Sequence, residues 1–267
     1  AGVLYAFARL GVLLDDPAKI CIAERFAADI PRHIPEDIVY DLVGGGAGSL
    51  AVLASMLELF GEDARLIHIG DQLVQHLIER AVSMQKGIAW VPANSPERPY
   101  IGFSHGNAGI AFALSRFMPW SSHQDAIESA VRAAIDYENT LYNHEVMNWY
   151  SEHLKRHPIA WCHGAPGILL SRLEARNKQI FHEHLERDIH SAVKTTLEAS
   201  SGSNFSFCHG HLGNMDALLL AAPYVDAELR ARIEEKRLQV LDGLFRLADV
   251  IHADINAVGI MNGLAGI

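Results

Sequence analysis

The chain has 267 residues, 49% of them apolar, and carries 22 basic against 32 acidic side chains. This composition excludes a disordered chain, and a net charge of −10 without clusters of Lys and Arg excludes a protein that binds nucleic acid through its phosphate backbone. The sequence contains no uninterrupted run of 18 apolar residues, so no transmembrane segment is predicted. Three cysteines are too few for a disulfide framework and indicate a reducing, cytoplasmic setting.

The two ends of the sequence both fall within predicted helices. The chain opens with AGVLYAFARLG, already in a helical pattern and without an initiator Met or a signal peptide. It closes with GIMNGLAGI, where a further helix begins. We therefore expect residues 1–267 to be a fragment of a longer chain, because natural domains rarely begin and end inside packed elements.

A short glycine motif followed by an apolar helical run recurs along the chain. The last glycine of each copy stands at position 2, 48, 109, 167, 213 or 266, so successive copies are 46 to 61 residues apart. Self-similarity with a period near 50 residues predicts a repeat architecture.

Two kinds of helix are predicted within each repeat. The runs directly after the motifs are apolar nearly all round, which predicts buried helices at Ser49–Leu59, Ile110–Phe117 and Met215–Ala222. Longer amphipathic helices are predicted between motifs, at Asp125–Leu141 and Asp226–Ile251. Extended structure is predicted at most in two short segments, 87–91 and 204–207.

The alternation of buried and amphipathic helices predicts an all-α fold, an α/α toroid with an inner ring of helices inside an outer ring. An open α-solenoid is the alternative, because it also stacks helix pairs. Inner helices without a polar face favour closure, since the concave face of a solenoid is in contact with water.

Two of the three cysteines lie in matching motifs. Cys162 and Cys208 each precede His-Gly at the same register of the repeat, so the fold should bring them together. Two thiols with an imidazole are the donors that zinc prefers, and three protein ligands leave a fourth position open, as in catalytic sites. The alternative is that both are structural cysteines at helix starts.

The third cysteine, Cys21, lies in an apolar helical stretch and is predicted to be a small buried residue.

The order of the motifs resembles that of a known family. The succession YDLVGGGAG, GFSHGNAGI, WCHGAPGI, FCHGHLGN and GIMNGLAGI is similar to the lanthionine synthetase C-like family, above all to the C-terminal cyclase domain of LanM-type lanthipeptide synthetases. The resemblance covers essentially the whole chain and implies a toroid of seven helical hairpins. It also implies that the first repeat, the closing helix and an N-terminal dehydratase domain are missing from this cyclase-domain fragment.

The resemblance also implies a set of site residues. The family's zinc ligands fall on Cys162, Cys208 and His209, its acid/base histidine on His105, and its acidic residue on Asp41. His163 follows a cysteine as well, but the resemblance does not make it a ligand. From the residues alone, Asp41 could equally well be a helix N-cap, and His105 could equally well have a structural role.

The activity implied is zinc-dependent cyclisation of a precursor peptide. A cysteine thiol of the peptide would add to dehydroalanine or dehydrobutyrine, giving a lanthionine or methyllanthionine thioether. Two alternatives remain open at this point: a zinc-thiolate enzyme that adds a small thiol such as glutathione, and a non-catalytic helical scaffold that binds peptides. A glycosidase needs paired carboxylates, and only Asp41 and Asp216 lie near the motifs.

A second group of titratable residues occupies positions 182–190. His182, His184 and His190 alternate there with Glu183, Glu186 and Asp188. We expect an exposed polar helix face in this segment rather than a second metal site.

Overall fold

The computed structural model describes residues 1–93, 98–199 and 204–248, with the backbone alone at 247 and 248. Ten α-helices occupy most of these residues: α1 Gly2–Leu13, α2 Pro17–His33, α3 Gly46–Phe60, α4 Ala64–Arg80, α5 Asn107–Phe117, α6 Gln124–Asn139, α7 Ala165–Asn177, α8 Leu185–Leu197, α9 His211–Ala221 and α10 Ala227–Ala248. Within the described part of the chain, none of the helices is both long and apolar enough to cross a membrane.

The predicted helices are present, and the buried ones start earlier than predicted. Helices α3, α5 and α9 begin within the glycine motifs, with Gly45, Gly106 and Gly210 as their N-caps. The motifs therefore form the first turn of each buried helix. The predicted end of the last amphipathic helix and the motif at 262–267 lie outside the described residues.

In the described part of the chain, six two-residue strands form three small antiparallel hairpins. They are β1 Val82–Ser83 with β2 Ile88–Ala89, β3 Tyr142–Asn143 with β4 Asn148–Trp149, and β5 Ile159–Ala160 with β6 His163–Gly164. Only β2 falls where extended structure was predicted, and residues 204–207 contain no strand. Strands of two residues are too short to show an alternating pattern in the sequence.

The described chain divides into two units. The first comprises residues 1–100, 105–137 and 174–181. In it α3 packs against α4 and α5. Helix α4 can approach the Phe117 ring closely because Gly70 has no side chain, since a Cβ at Gly70 would stand 2.0 Å from that ring.

The second unit comprises residues 101–104, 138–173 and the chain from 182 onward. A buried ionic cluster lies in its interior. Arg172 of α7 contacts Glu138 of α6 at 2.6 Å and Asp188 of α8 at 2.9 Å, and all three side chains are fully buried. The expectation of an exposed polar face at 182–190 was therefore wrong for Asp188, and also for His182, which is buried.

Cys21 also differs from its prediction. It lies in α2 and is exposed rather than buried. Helix α2 buries only Ala23 and Ala27, so the apolar character around Cys21 does not face a core.

Candidate active site

Cys162 occupies a tight turn in front of a buried helix. It lies in the two-residue turn of the β5–β6 hairpin, in which Ala160 pairs with His163. Helix α7 begins two residues after the hairpin pair, at Ala165. Gly164, the last residue before α7, has a φ of +79°, a conformation that residues with side chains rarely adopt.

Cys208 and His209 occupy the corresponding place before α9. They lie in the turn that leads to the N-cap Gly210. A methyl group at Gly213, in the first turn of α9, would stand 1.8 Å from the Phe207 carbonyl oxygen. The missing side chain at Gly213 therefore lets the loop that carries Cys208 lie directly on the helix.

The structure brings the three predicted metal donors together. The ligand atoms of Cys162, Cys208 and His209 all lie within 4.8 Å of one another, and Cys208 Sγ is 3.8 Å from His209 Nε2. Donor atoms about 2.0–2.3 Å from a tetrahedral ion stand roughly 3.5–3.8 Å apart, so only a small contraction is needed. The group can hold a metal ion, and two sulfurs with one imidazole suit zinc. His163 does not belong to it.

The protonation of Cys162 depends on its surroundings. Burial, and the neighbouring Cys208 thiol, raise the pKa of the Cys162 thiol to about 12. Without a cation, the Cys162 thiol remains protonated at neutral pH. It would serve as a thiolate only with a compensating positive charge such as a metal ion.

Main-chain hydrogen bonds join three glycine motifs at the donor group. The Cys162 N–H donates to the Cys208 carbonyl at 3.3 Å, and the Cys162 carbonyl accepts from the N–H groups of Phe103 and Ser104 at 2.9 and 3.2 Å. The sequence indicated that the motifs meet, but it did not reveal that Phe103 and Ser104 bind the Cys162 turn.

Aromatic rings cover this loop cluster. The Trp161 ring lies 5.0 Å from the Phe103 ring, edge to face, and 5.4 Å from the Phe207 ring. Trp161 and Phe207 each directly precede a cysteine. Their packing places apolar surface beside the donor group and reduces its contact with water.

His105 and Asp41 form a hydrogen-bonded pair in the first unit. His105 Nδ1 lies 2.8 Å from Asp41 Oδ2. The carboxylate is 2% exposed and the imidazole 47% exposed. The hydrogen bond to Asp41 is the main cause that raises the pKa of His105, and partial burial opposes it. The histidine therefore retains a proton to higher pH than a free imidazole does, and about half of its side chain is exposed.

Asp41 is held by the turn in front of α3. Its Oδ1 accepts hydrogen bonds from the N–H groups of Val43 and Gly44 at 2.9 and 2.7 Å. The N-cap of α3 is Gly45, so the alternative of a helix N-cap is not what the structure shows. The carboxylate instead organises the turn with one oxygen and orients His105 with the other.

Comparison with known proteins identifies the family of the chain. No curated protein matches the sequence. Among solved structures, nisin cyclase is similar, with a TM-score of 0.70 and 16% identity over 94% of this chain and 69% of that chain. This likeness confirms the predicted all-α fold class, that of the α/α toroids. The family model for lanthionine synthetase C-like proteins matches residues 1–267. The chain therefore belongs to the lanthionine synthetase C-like family.

Proposed function

We propose that the chain is a zinc-dependent lanthipeptide cyclase. Its substrate is a precursor peptide in which a cysteine thiol adds to dehydroalanine or dehydrobutyrine, so that a lanthionine or methyllanthionine ring closes. The observation that carries the proposal is the group of Cys162, Cys208 and His209, in a chain of the lanthionine synthetase C-like family. The likeness to nisin cyclase supports the same class of reaction.

The donor group accounts for activation of the thiol. A thiol has a pKa of about 8.5 and is mostly protonated at neutral pH. Cys162, Cys208 and His209 would hold a zinc ion, which would supply the positive charge that lowers the pKa of the substrate thiol. Cys162 and Cys208 would contribute two negative charges to this site, which would keep the substrate sulfur electron-rich and reactive.

The His105–Asp41 pair would supply the proton that the addition requires. In the addition, the substrate sulfur forms a bond to the β-carbon of the dehydroamino acid, and the β-carbon–α-carbon double bond becomes a single bond. The α-carbon must then gain a proton, which balances the one the thiol lost. We assign that proton to His105, whose raised pKa keeps it available, and assign to Asp41 the orientation of the imidazole.

A dehydrated precursor peptide with its leader segment tests the proposal. Cyclisation consumes the thiol without changing the mass of the peptide, so the fraction that reacts with an alkylating agent should fall with time. The Cys208→Ala variant should leave the thiol alkylatable, whereas Cys21→Ala, at an exposed cysteine in α2, should cyclise normally. A thiol that stays fully alkylatable with the unaltered protein would contradict the cyclase function.

The same assay separates the alternatives. An enzyme that adds small thiols would attach glutathione to the dehydrated peptide and increase its mass, without need of the leader. A scaffold would bind the peptide and leave both thiol and mass unchanged. We further propose a cytoplasmic location, a LanM-type relationship and a dehydratase domain in the full-length protein that supplies the dehydrated peptide.

A further inference from the structure

A polar cavity lies beside the donor group, within the second unit. Its volume is about 390 Å³, and His209 is among the residues that line it. Arg156, His157, His211 and Asn214 contribute further polar side chains, and no acidic residue lines it within the described part of the chain. In a chain of net charge −10, this is a locally basic surface.

Asn214 is an unusual residue for its place in the repeat. It follows the last glycine of its motif, where two other copies have Ile110 and Ile168, which are 1% and 0% exposed. Asn214 is only 8% exposed, and its Nδ2 donates to the Ile159 carbonyl at 3.4 Å. Its Oδ1 is buried and has no hydrogen-bond partner among the described residues. Such an atom destabilises the fold by about 1–3 kcal/mol unless a ligand satisfies it.

The cavity also presents positive charge. The Arg156 side chain is exposed and forms no ion pair within the described residues. Helix α9 begins at the cavity, and its N-cap Gly210 offers no side chain to cap it. A helix N-terminus carries partial positive charge, so it adds to the attraction of an anion by Arg156.

We propose that this cavity binds an acidic residue of the peptide substrate, close in sequence to the reacting cysteine. The carboxylate of that residue pairs with Arg156, and a backbone N–H of the same segment donates to Asn214 Oδ1. A free anion could satisfy Arg156 but has no N–H for Asn214, whereas a peptide has both. Because His209 borders the cavity, a thiol held at the donor group lies within a few residues of the carboxylate, at about 3.3 Å per extended residue.

This proposal rests on the proposed function, so its test needs two separate readouts. Fluorescein-labelled pentapeptides with a central cysteine flanked by glutamates, or in the control by glutamines, are titrated with the cobalt-loaded protein. Fluorescence anisotropy reports binding of each peptide. The thiolate-to-cobalt absorption band reports whether the peptide sulfur reaches the metal.

Two variants and one control locate the effect. Arg156→Gln removes the cation, and Asn214→Ile installs the residue that two other copies of the motif have at this position. Arg246→Gln makes the same charge change on α10, at a side chain that is 80% exposed and does not line the cavity.

The unaltered protein should bind the glutamate peptide up to about five-fold more tightly than the glutamine peptide, as expected for one exposed ion pair. Arg156→Gln should abolish this preference, and Arg246→Gln should retain it. Asn214→Ile should weaken the binding of both peptides. It should also raise the Tm of the protein, because it removes an unsatisfied buried oxygen. A purely structural asparagine would not show this opposite pair of changes.

The two readouts fail independently. Equal binding of the two peptides, or a preference that survives Arg156→Gln, would overturn the acidic-residue site while leaving the metal chemistry intact. If the anisotropy shows the preference but neither peptide changes the cobalt band, the proposed thiol activation fails and the carboxylate site stands.

Discussion

His105 Nδ1 lies 2.8 Å from Asp41 Oδ2, although 64 positions separate the two residues in the chain. The first consequence concerns the titration of the imidazole. Asp41→Asn keeps an oxygen that can accept from Val43 and Gly44 but removes the negative charge, so the pKa of His105 should fall. Histidine NMR titrations of the unaltered and variant proteins check this. An unchanged His105 titration would contradict control by Asp41.

The same pair makes stability depend on pH. The folded-state pKa of His105 is raised, so the stability it contributes is fully present below the unfolded value of about 6.5 and is lost as pH rises through the folded value. The difference in free energy of unfolding between the unaltered protein and Asp41→Asn should therefore shrink from pH 6 to pH 8. Urea unfolding at several pH values measures it. In a His105→Gln background, this pH dependence should disappear.

Metal content should follow the three donors. We expect about one zinc ion per chain, and its loss in Cys162→Ser and Cys208→Ser, because two donors bind zinc much more weakly than three. Cys21→Ser removes an exposed thiol and should retain the zinc. Metal analysis after dialysis measures all three variants. Zinc retained by both donor variants would show that the metal is bound elsewhere.

Gly213→Ala should loosen the loop that carries Cys208. The added methyl would stand 1.8 Å from the Phe207 carbonyl oxygen and 2.8 Å from Trp161 Cβ, so the loop must move. We expect a loss of about 1–3 kcal/mol in unfolding free energy, as for other overpacked sites, and weaker metal binding. Gly2→Ala is the control, since nothing lies within 4 Å of its added methyl. Equal stability of the two variants would argue against a tightly packed loop.

The buried ionic cluster should be intolerant of losing its cation. Arg172→Met leaves Glu138 buried without its cation and leaves Asp188 only the Arg187 guanidinium, at 2.6 Å, which should cost about 3–5 kcal/mol of stability. Arg237→Met removes an arginine that pairs with Glu234 on the surface of α10 and should change stability by less than about 0.5 kcal/mol. Chemical denaturation compares them. A near-neutral Arg172→Met would contradict a stabilising role of the guanidinium in this cluster.

Glu138 should give the protein a second pH dependence. Burial raises the pKa of Glu138 from 4.5 to about 7, against the opposing effect of Arg172. The folded state therefore binds more protons than the unfolded state between these values, and stability falls as pH rises from 4.5 to 7. Glu138→Gln should remove this component, so the stability of the unaltered protein relative to the variant should decline across that range. A constant difference would contradict the raised pKa.

The repeat made much of this arrangement predictable. Matching glycine motifs predicted the buried helices α3, α5 and α9 and the approach of Cys162 to Cys208, because equivalent positions of a repeat occupy equivalent places in space. The family resemblance, rather than the residue pattern, singled out His105 and Asp41. Their hydrogen bond joins motifs far apart in the chain, and composition alone carries no sign of it.

Other features depend on tertiary partners that a local pattern does not contain. Asp188 lies among charged residues and has the sequence environment of a surface position, but Arg172 of the preceding helix draws it into the interior. Cys21 shows the reverse, because its apolar neighbours lie on a helix that buries little. Only the three-dimensional structure reveals that Asn214 Oδ1 is buried without a hydrogen-bond partner among the described residues.

The main-chain bonds around Cys162 have a consequence for the divergence of such enzymes. The carbonyl and N–H groups of Phe103, Ser104, Cys162 and Cys208 align the turns, and these groups are the same whatever side chains the residues carry. A side chain of the proposed peptide site, such as Arg156, can therefore be exchanged to change the proposed peptide preference while the scaffold of the proposed metal site persists. Directed evolution of ring-forming catalysts can begin at those positions.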